Sequence, residues 1–328
     1  MSLPPSMNAV EISAPGGPDV LMLTQRPVPK PQKNEVLIKV AAAGVNGPDL
    51  MQRKGLYPAP KDASDLPGLE VSGEVVAIGS ESSRWKVGDT VAALTNGGGY
   101  AEYCVADVSV CLPIPNGVGI IDAAGLPETF FTVWSNVFIG AGLKAGETFL
   151  VHGGAGGIGT AAIQLGKAFG AKVIATDSPE SRVQLCRDLG ADRVVDYKQE
   201  DFVEAVRETG GANVILDIVG GPNIERNFKA ASHDARIIQL AFALGSKVEV
   251  NLMPVMLKRL TYTGSTLRTR PPAFKARIAS ELEEQVWPHV ASGRIRVVTH
   301  HRFPLAEASQ AHAMMESAGH TGKILLLP

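Results

Sequence analysis

Cysteine is scarce in this chain: its 328 residues hold three, Cys104, Cys111 and Cys186. Three thiols cannot build a disulfide framework or the four-cysteine lobe of a structural zinc site. They read as reduced packing residues, and a cytoplasmic protein is expected. No run of about 20 apolar residues occurs, so no membrane-spanning helix is expected, and the opening residues lack the basic-then-apolar layout of a signal peptide. "MSLPPS", ahead of Met7, reads as an expression leader with Met7 as the natural start. Charge of one sign is also missing in excess, with 31 Lys and Arg against 33 Asp and Glu. Binding to nucleic acid or to an anionic membrane surface is therefore not expected.

What is present is a chain of two textures. Up to about residue 125, short apolar runs alternate with turn clusters. "EVLIKVAAAGV" (Glu35–Val45), "GEVVAIG" (Gly73–Gly79), "DTVAAL" (Asp89–Leu94) and "AEYCVA" (Ala101–Ala106) read as strands. From residue 126 to 265 strand and helix signals alternate. Continuous apolar runs at Phe149–His152, Lys172–Thr176, Arg193–Asp196, Val214–Val219, Arg236–Ala241 and Leu260–Gly264 suit a six-stranded parallel sheet buried on both faces. With helical crossovers they describe an α/β, doubly wound dinucleotide-binding sheet. Residues 266–328 add a helix near Phe274–Val290, two strands and a short helix, expected to return to the β domain 1–125.

The second texture opens on "FLVHGGAGGIGTAAIQLGKAFGAKVIATD". Here Gly154-x-Gly156-x-x-Gly159 follows a buried strand and starts a helix, with an acid at the end of the next strand. Gly154 is expected to make the tight turn, Gly156 to let the backbone approach a pyrophosphate, and Gly159 to pack helix on sheet. The helix N-terminus, with Gly157 and Ile158, would offer N–H groups to the phosphates. Asp177 suits the ribose hydroxyls of NAD(H), whereas Arg182 would grip the 2′-phosphate of NADP(H). The sequence leaves both nicotinamides open.

Several long matches in order carry a family resemblance: "APGGPDVL" (Ala14–Leu21), "VNGPDLMQRKGLYPAP" (Val45–Pro60), "LPGLEVSGEV" (Leu66–Val75), "GGGYAEY" (Gly97–Tyr103), "HGGAGGIGTAAIQL" (His152–Leu165), "LGAD" (Leu189–Asp192), "GSTLR" (Gly264–Arg268) and "TGKILL" (Thr321–Leu326). The chain resembles the zinc-independent quinone oxidoreductases of the medium-chain dehydrogenase/reductase superfamily, the inducible mammalian type above all. The resemblance implies a GroES-like β domain interrupted by a Rossmann domain, NADP(H) as cofactor, and a homodimer. It places Tyr57 and Asn46 at the nicotinamide and substrate pocket, and Thr132 against the nicotinamide. It also implies Tyr197 and Arg182 at the adenosine phosphate, with Leu267 and Lys323 near the cofactor. One departure is Asp177-Ser178-Pro179, where relatives run Ala-Gly-Ser.

A second departure lies in "PGLEVSGEVVAIG". It is similar to the zinc-ligand frame of medium-chain alcohol dehydrogenases, but Leu69 stands where that frame has histidine. Alcohol oxidation relies on a Lewis acid to stabilise the alkoxide, and leucine cannot ligate. No metal is expected, and His300 and His301, adjacent on a strand, would face opposite sides. Without a metal the acceptor must tolerate negative charge unaided, as quinones and enones do. Hydride transfer from nicotinamide C4 to a quinone is the leading expectation. A hydroxyl such as that of Tyr57 would donate to the developing oxyanion. The competing readings are an enone, alkenal or enoyl-thioester reductase, and a crystallin-like structural protein that binds NADPH with little turnover.

Overall fold

The computed structural model describes residues 3–61, 63–79 and 84–328. The chain forms two compact units, one of Met1–Phe131 with Arg268–Pro328 and one of Thr132–Leu267.

In the first unit, β1 (Ser6–Ile12) and β2 (Leu21–Pro27) form an antiparallel hairpin. It was not among the strands expected from sequence, because β2 buries only Leu21 and so shows no apolar alternation. The long strand β3 (Glu35–Val45) pairs with β4 (Glu70–Ile78), β6 (Tyr103–Asp107) and β15 (Lys323–Leu327). Strands β5 (Thr90–Leu94), β7 (Cys111–Pro113) and β14 (Thr299–Pro304) complete this sheet. The C-terminal strands thus join the N-terminal β domain beside β3. Val36, Ile38, Val71, Val75, Val91 and Leu326 supply its core, all fully buried.

Helix α1 (Gly47–Arg53) leaves β3, and α2 (Pro127–Val133) follows the last N-terminal strand. One continuous helix was expected near Phe274–Val290. The structure has α8 (Pro272–Glu281) and α9 (Trp287–Ala291), joined by a wider π-helical stretch at Leu282–Val286. Pro288 lacks the N–H that a regular α-helical ladder would use there. Helix α10 (Ala308–Glu316) links β14 to β15.

The second unit is a six-stranded parallel sheet in the order β10–β9–β8–β11–β12–β13, comprising β8 (Thr148–His152), β9 (Lys172–Asp177), β10 (Arg193–Asp196), β11 (Ala212–Asp217), β12 (Ala231–Gln239) and β13 (Thr261–Gly264). Helices α3 (Gly157–Ala168), α4 (Glu180–Asp188), α5 (Phe202–Arg207), α6 (Asn223–Ala230) and α7 (Met253–Lys258) connect the strands. Every residue of β8 is buried, which is what a strand covered on both faces requires. The last run, expected as an apolar strand at Leu260–Gly264, proves to be a polar strand of four exposed residues, because Leu260 is buried and lies outside it. The exposed apolar side chains nearby belong to α7 and to residues 242–252.

Candidate functional site

In the second unit, the turn after β8 brings its glycines to the N-terminus of α3. The left-handed turn is taken by Gly153 (φ +69°), not by Gly154 as the spacing suggested. Gly154 serves close packing instead: a Cβ there would meet Cys186 Sγ at 2.7 Å and Ala175 at 3.0 Å. At Gly159 a Cβ would strike the Gly153 carbonyl oxygen at 2.2 Å. Gly156 is different. Its φ is −76° and a Cβ would meet only the Gly153 oxygen, at 3.4 Å, so nothing in the protein demands glycine there. The missing side chain leaves a cradle over the helix end. Thr160 N–H makes the first intrahelical bond, to Gly156 O, so the N–H groups of Gly157, Ile158 and Gly159 precede the helical ladder. The loop fits a dinucleotide pyrophosphate.

Asp177 ends β9 beside this loop and is buried. Its Oδ2 accepts from Ala155 N–H at 2.8 Å, and its Oδ1 from Ser178 N–H at 2.8 Å. Arg182, on α4, donates to both oxygens, Nε to Oδ1 at 2.6 Å and Nη2 to Oδ2 at 3.2 Å. The two residues that the sequence set in opposition are therefore partners. Tyr197 follows β10, exposed, with its N–H 3.4 Å from Asp177 O. Below the loop, His152 joins Thr176 and Asn227 at 2.8 Å each, and Asn227 donates to Asp217 at 2.8 Å. Burial holds the His152 pKa down, so it serves as a neutral strut at the ends of β8, β9 and β11. Thr132 and Leu267 stand at the two chain ends of this unit. The Thr132 carbonyl accepts from Asn136 Nδ2 at 2.8 Å, and Leu267 is buried.

The first unit holds a buried polar cluster around the Leu69 frame. Gly44 makes room for it, since a Cβ there would lie 2.0 Å from Glu70 Oε1. Glu70 accepts from Lys323 Nζ at 2.5 Å, Asn46 Nδ2 at 2.8 Å and Glu128 N–H at 2.8 Å. Lys323 also donates to Asn46 Oδ1 at 2.6 Å and to Val45 O at 3.2 Å. Leu69 is buried beside Glu70. These residues do not fit a metal ion. Leucine offers no donor, and the oxygens of Glu70 and Asn46 already hold an ammonium. Among the described residues, no group of three or more His, Cys, Asp or Glu side chains is placed to bind one. His300 and His301 are exposed.

Asp49 ties this cluster to the frame. Its carboxylate accepts from Asn46 N–H and Gly68 N–H, both at 2.9 Å, yet burial pushes its pKa up to about 6. Behind it, Arg53 Nη1 lies 3.3 Å from His312 Nδ1, and Tyr100 Oη lies 3.0 Å from His312 Nε2. Arginine only donates, so Nδ1 accepts and Nε2 carries the proton. Burial, with the Arg53 charge, pushes the His312 pKa down to about 3.

Sequence reasoning missed three members of this unit's site. Glu128 is buried in the first turn of α2; desolvation, with the Glu70 and Asp49 charges, pushes its pKa up to about 8. Arg268 is buried, donating to Gln52 Oε1 at 2.6 Å and Asn96 O at 2.7 Å, with its guanidinium 5.9 Å from the Tyr57 ring centre. Lys275 donates to Asn96 Oδ1 at 2.7 Å and Arg268 O at 2.8 Å. Half-buried Tyr57 feels both sides: burial and the Glu128 charge raise its pKa, and Arg268 opposes them. A signal for Lys275 was available, because it shares the helical spacing of buried Ile278, Ala279 and Leu282.

Comparison with known proteins agrees with this geometry. Residues 32–116 match the alcohol dehydrogenase GroES-like domain, and residues 157–284 the zinc-binding dehydrogenase family. The chain is 31% identical to quinone oxidoreductase of Mus musculus over 329 residues, covering 98% of each protein. It is 34% identical to quinone oxidoreductase of Pseudomonas aeruginosa, over 97% of this chain and 99% of that protein. The crystal structure of Escherichia coli quinone oxidoreductase complexed with NADPH superposes with a TM-score of 0.88, at 30% identity, over 98% of this chain and all of that one. Full-length identity of this order, on a six-stranded parallel sheet and a GroES-like unit, places the chain in the quinone oxidoreductase family of the medium-chain dehydrogenase/reductase superfamily.

Proposed function

We propose that this protein is a zinc-independent NAD(P)H:quinone oxidoreductase. The observation that carries the reading is the Lys323 ammonium seated on Glu70 and Asn46 beside Leu69. An internal cation occupies the acceptor oxygens of Glu70 and Asn46, and Leu69 offers no atom that could ligate a Lewis acid. The acceptor must then carry incoming negative charge by itself, and a quinone does so by becoming aromatic.

The nicotinamide, when bound, supplies the hydride from C4. The unit Thr132–Leu267 would hold the dinucleotide, with Gly154, Gly156, Gly157, Ile158 and Gly159 at the pyrophosphate and Asp177, Arg182 and Tyr197 at the adenosine end. Thr132 and Leu267 would border the nicotinamide. In the other unit, Tyr57 would donate its hydroxyl hydrogen bond to the acceptor oxygen. Burial and then the Glu128 charge raise its pKa and keep the phenol protonated as a donor, with the Arg268 guanidinium near its ring opposing them. Asn46 and Lys323 would position this wall rather than touch the reacting atoms. The exposed apolar side chains of α7, beside the edge strand β13, support a homodimer. Three free, buried cysteines fit a reducing cytoplasm.

The test is oxidation of a reduced nicotinamide by the purified protein with ortho-quinones supplied, with and without chelator. Equal rates are expected. Loss of the rate on chelation would overturn the zinc-independent reading, and no rate with any quinone would overturn the reaction itself.

A further inference from the structure

The adenosine end of the loop carries an arrangement that discriminates between the two nicotinamides. Asp177 and Arg182 form a two-pronged ion pair, with side chains 4% and 13% exposed. Two backbone N–H groups, from Ala155 in the glycine loop and from Ser178, fix the carboxylate in place. Asp196, at the end of the neighbouring strand, is in register with Asp177, so two acids end adjacent strands. Of the cations on these segments, Arg182 is paired with Asp177, and Arg187 binds Glu180 at 2.5 Å. Lys198, after β10, is exposed to solvent, and its N–H caps Asp196 at 3.0 Å.

A 2′-phosphate would bring close to two negative charges to this rim. To reach it, Arg182 would have to leave a buried carboxylate, which then stands uncompensated beside the incoming anion. A solvated lysine does not offset that. A ribose with a free 2′-hydroxyl makes no such demand. It needs one acceptor lone pair, and the 3.2 Å contact from Arg182 Nη2 is longer than those from Arg182 Nε, Ala155 N–H and Ser178 N–H, hence more readily replaced.

We infer that this protein binds NADH in preference to NADPH, with the Asp177–Arg182 pair as the specificity determinant. The inference rests on the reading of Thr132–Leu267 as the dinucleotide-binding unit. Its test is equilibrium binding, read by nicotinamide fluorescence in phosphate-free buffer without acceptor, on the wild type and on Asp177→Asn and Arg182→Ala. The wild type is expected to bind NADH more tightly by about tenfold or more, equivalent to ~1.4 kcal/mol. Asp177→Asn keeps an acceptor for Ala155 N–H and releases Arg182, so the preference should fall below about threefold or invert, mainly through tighter NADPH binding. Arg182→Ala leaves the aspartate unpaired and should weaken NADPH further. Equal or tighter binding of NADPH by the wild type overturns the inference, and so does an unchanged preference in Asp177→Asn. If that variant does not fold, the wild-type ratio and Arg182→Ala decide. Failure of folded wild type to bind either nucleotide would sink the reading of the unit instead.

Discussion

Lys323 and Glu70 form an ion pair of 2.5 Å between side chains that are 5% and 0% exposed. Lysine stands at the start of the last strand and glutamate at the start of β4, and the pair is completed by Asn46, 277 positions before Lys323. Removing one partner leaves the other charge buried and alone. Lys323→Met should cost about 3–5 kcal/mol of unfolding free energy. Lys323→Met with Glu70→Gln should recover much of that loss, because glutamine carries no charge, its one oxygen can accept from Glu128 N–H, and its NH2 can donate to the Asn46 Oδ1 that the lysine has left. Urea titrations of the single and double variants check this. A double variant as unstable as Lys323→Met would show that the cluster is held by packing and not by charge.

Glu128 gives stability a pH dependence whose sign is fixed. Its pKa is pushed from 4.5 up to about 8, chiefly by desolvation and then by the Glu70 and Asp49 charges. The native state therefore keeps a proton that the unfolded chain releases above about pH 4.5. The stability this proton contributes is fully present below that pH and is lost as pH rises through about 8. Asp49, pushed up to about 6, acts in the same direction over a lower range. Glu128→Gln removes the larger effect. Its melting temperature should gain on the wild type steadily from pH 5 to pH 8, and a difference that does not change with pH would contradict the assignment.

Tyr57 stands half-buried with a guanidinium 5.9 Å from its ring centre. If its hydroxyl donates to the acceptor oxygen as proposed, Tyr57→Phe should lower kcat/KM for a quinone by on the order of 10²-fold, the usual cost of one such donor. Dinucleotide affinity should not change. Steady-state kinetics with a parallel binding titration separate the two. A variant that keeps full kcat/KM would remove Tyr57 from the chemistry.

The doubly wound sheet is legible in the sequence because strands such as β8 are buried on both faces, and so leave continuous apolar runs. The glycine loop is legible because a backbone turn admits few residue types, although the turn residue itself is Gly153. The polar cluster is much harder to read. Asn46, Glu70 and Lys323 lie in three different segments, and no local pattern says that their side chains converge. Arg268 is hidden for a related reason: no local pattern marks this one charge for burial, and only the fold seats it against Asn96, whereas Lys275 shares the helical spacing of its buried neighbours. The Asp177–Arg182 pair sits between these cases: both residues stand out in the sequence, but their bond does not.

The edge of the parallel sheet supplies the final prediction. Strand β13 ends the strand order, and all four of its residues are exposed. Beside it, Leu252, Met253, Met256 and Leu257 are each more than half exposed, and no residue of α7 is buried. Apolar surface this concentrated next to an open strand edge is unusual on a monomer, and a two-fold axis through the edge would cover both at once. Light scattering during size exclusion should give twice the chain mass at micromolar concentration. Met256→Glu combined with Leu257→Glu places charges in that contact and should give monomers with unchanged far-ultraviolet circular dichroism, since neither side chain contributes to the core. A wild type that runs as a monomer at every concentration would show that this surface serves something other than a second copy of the chain.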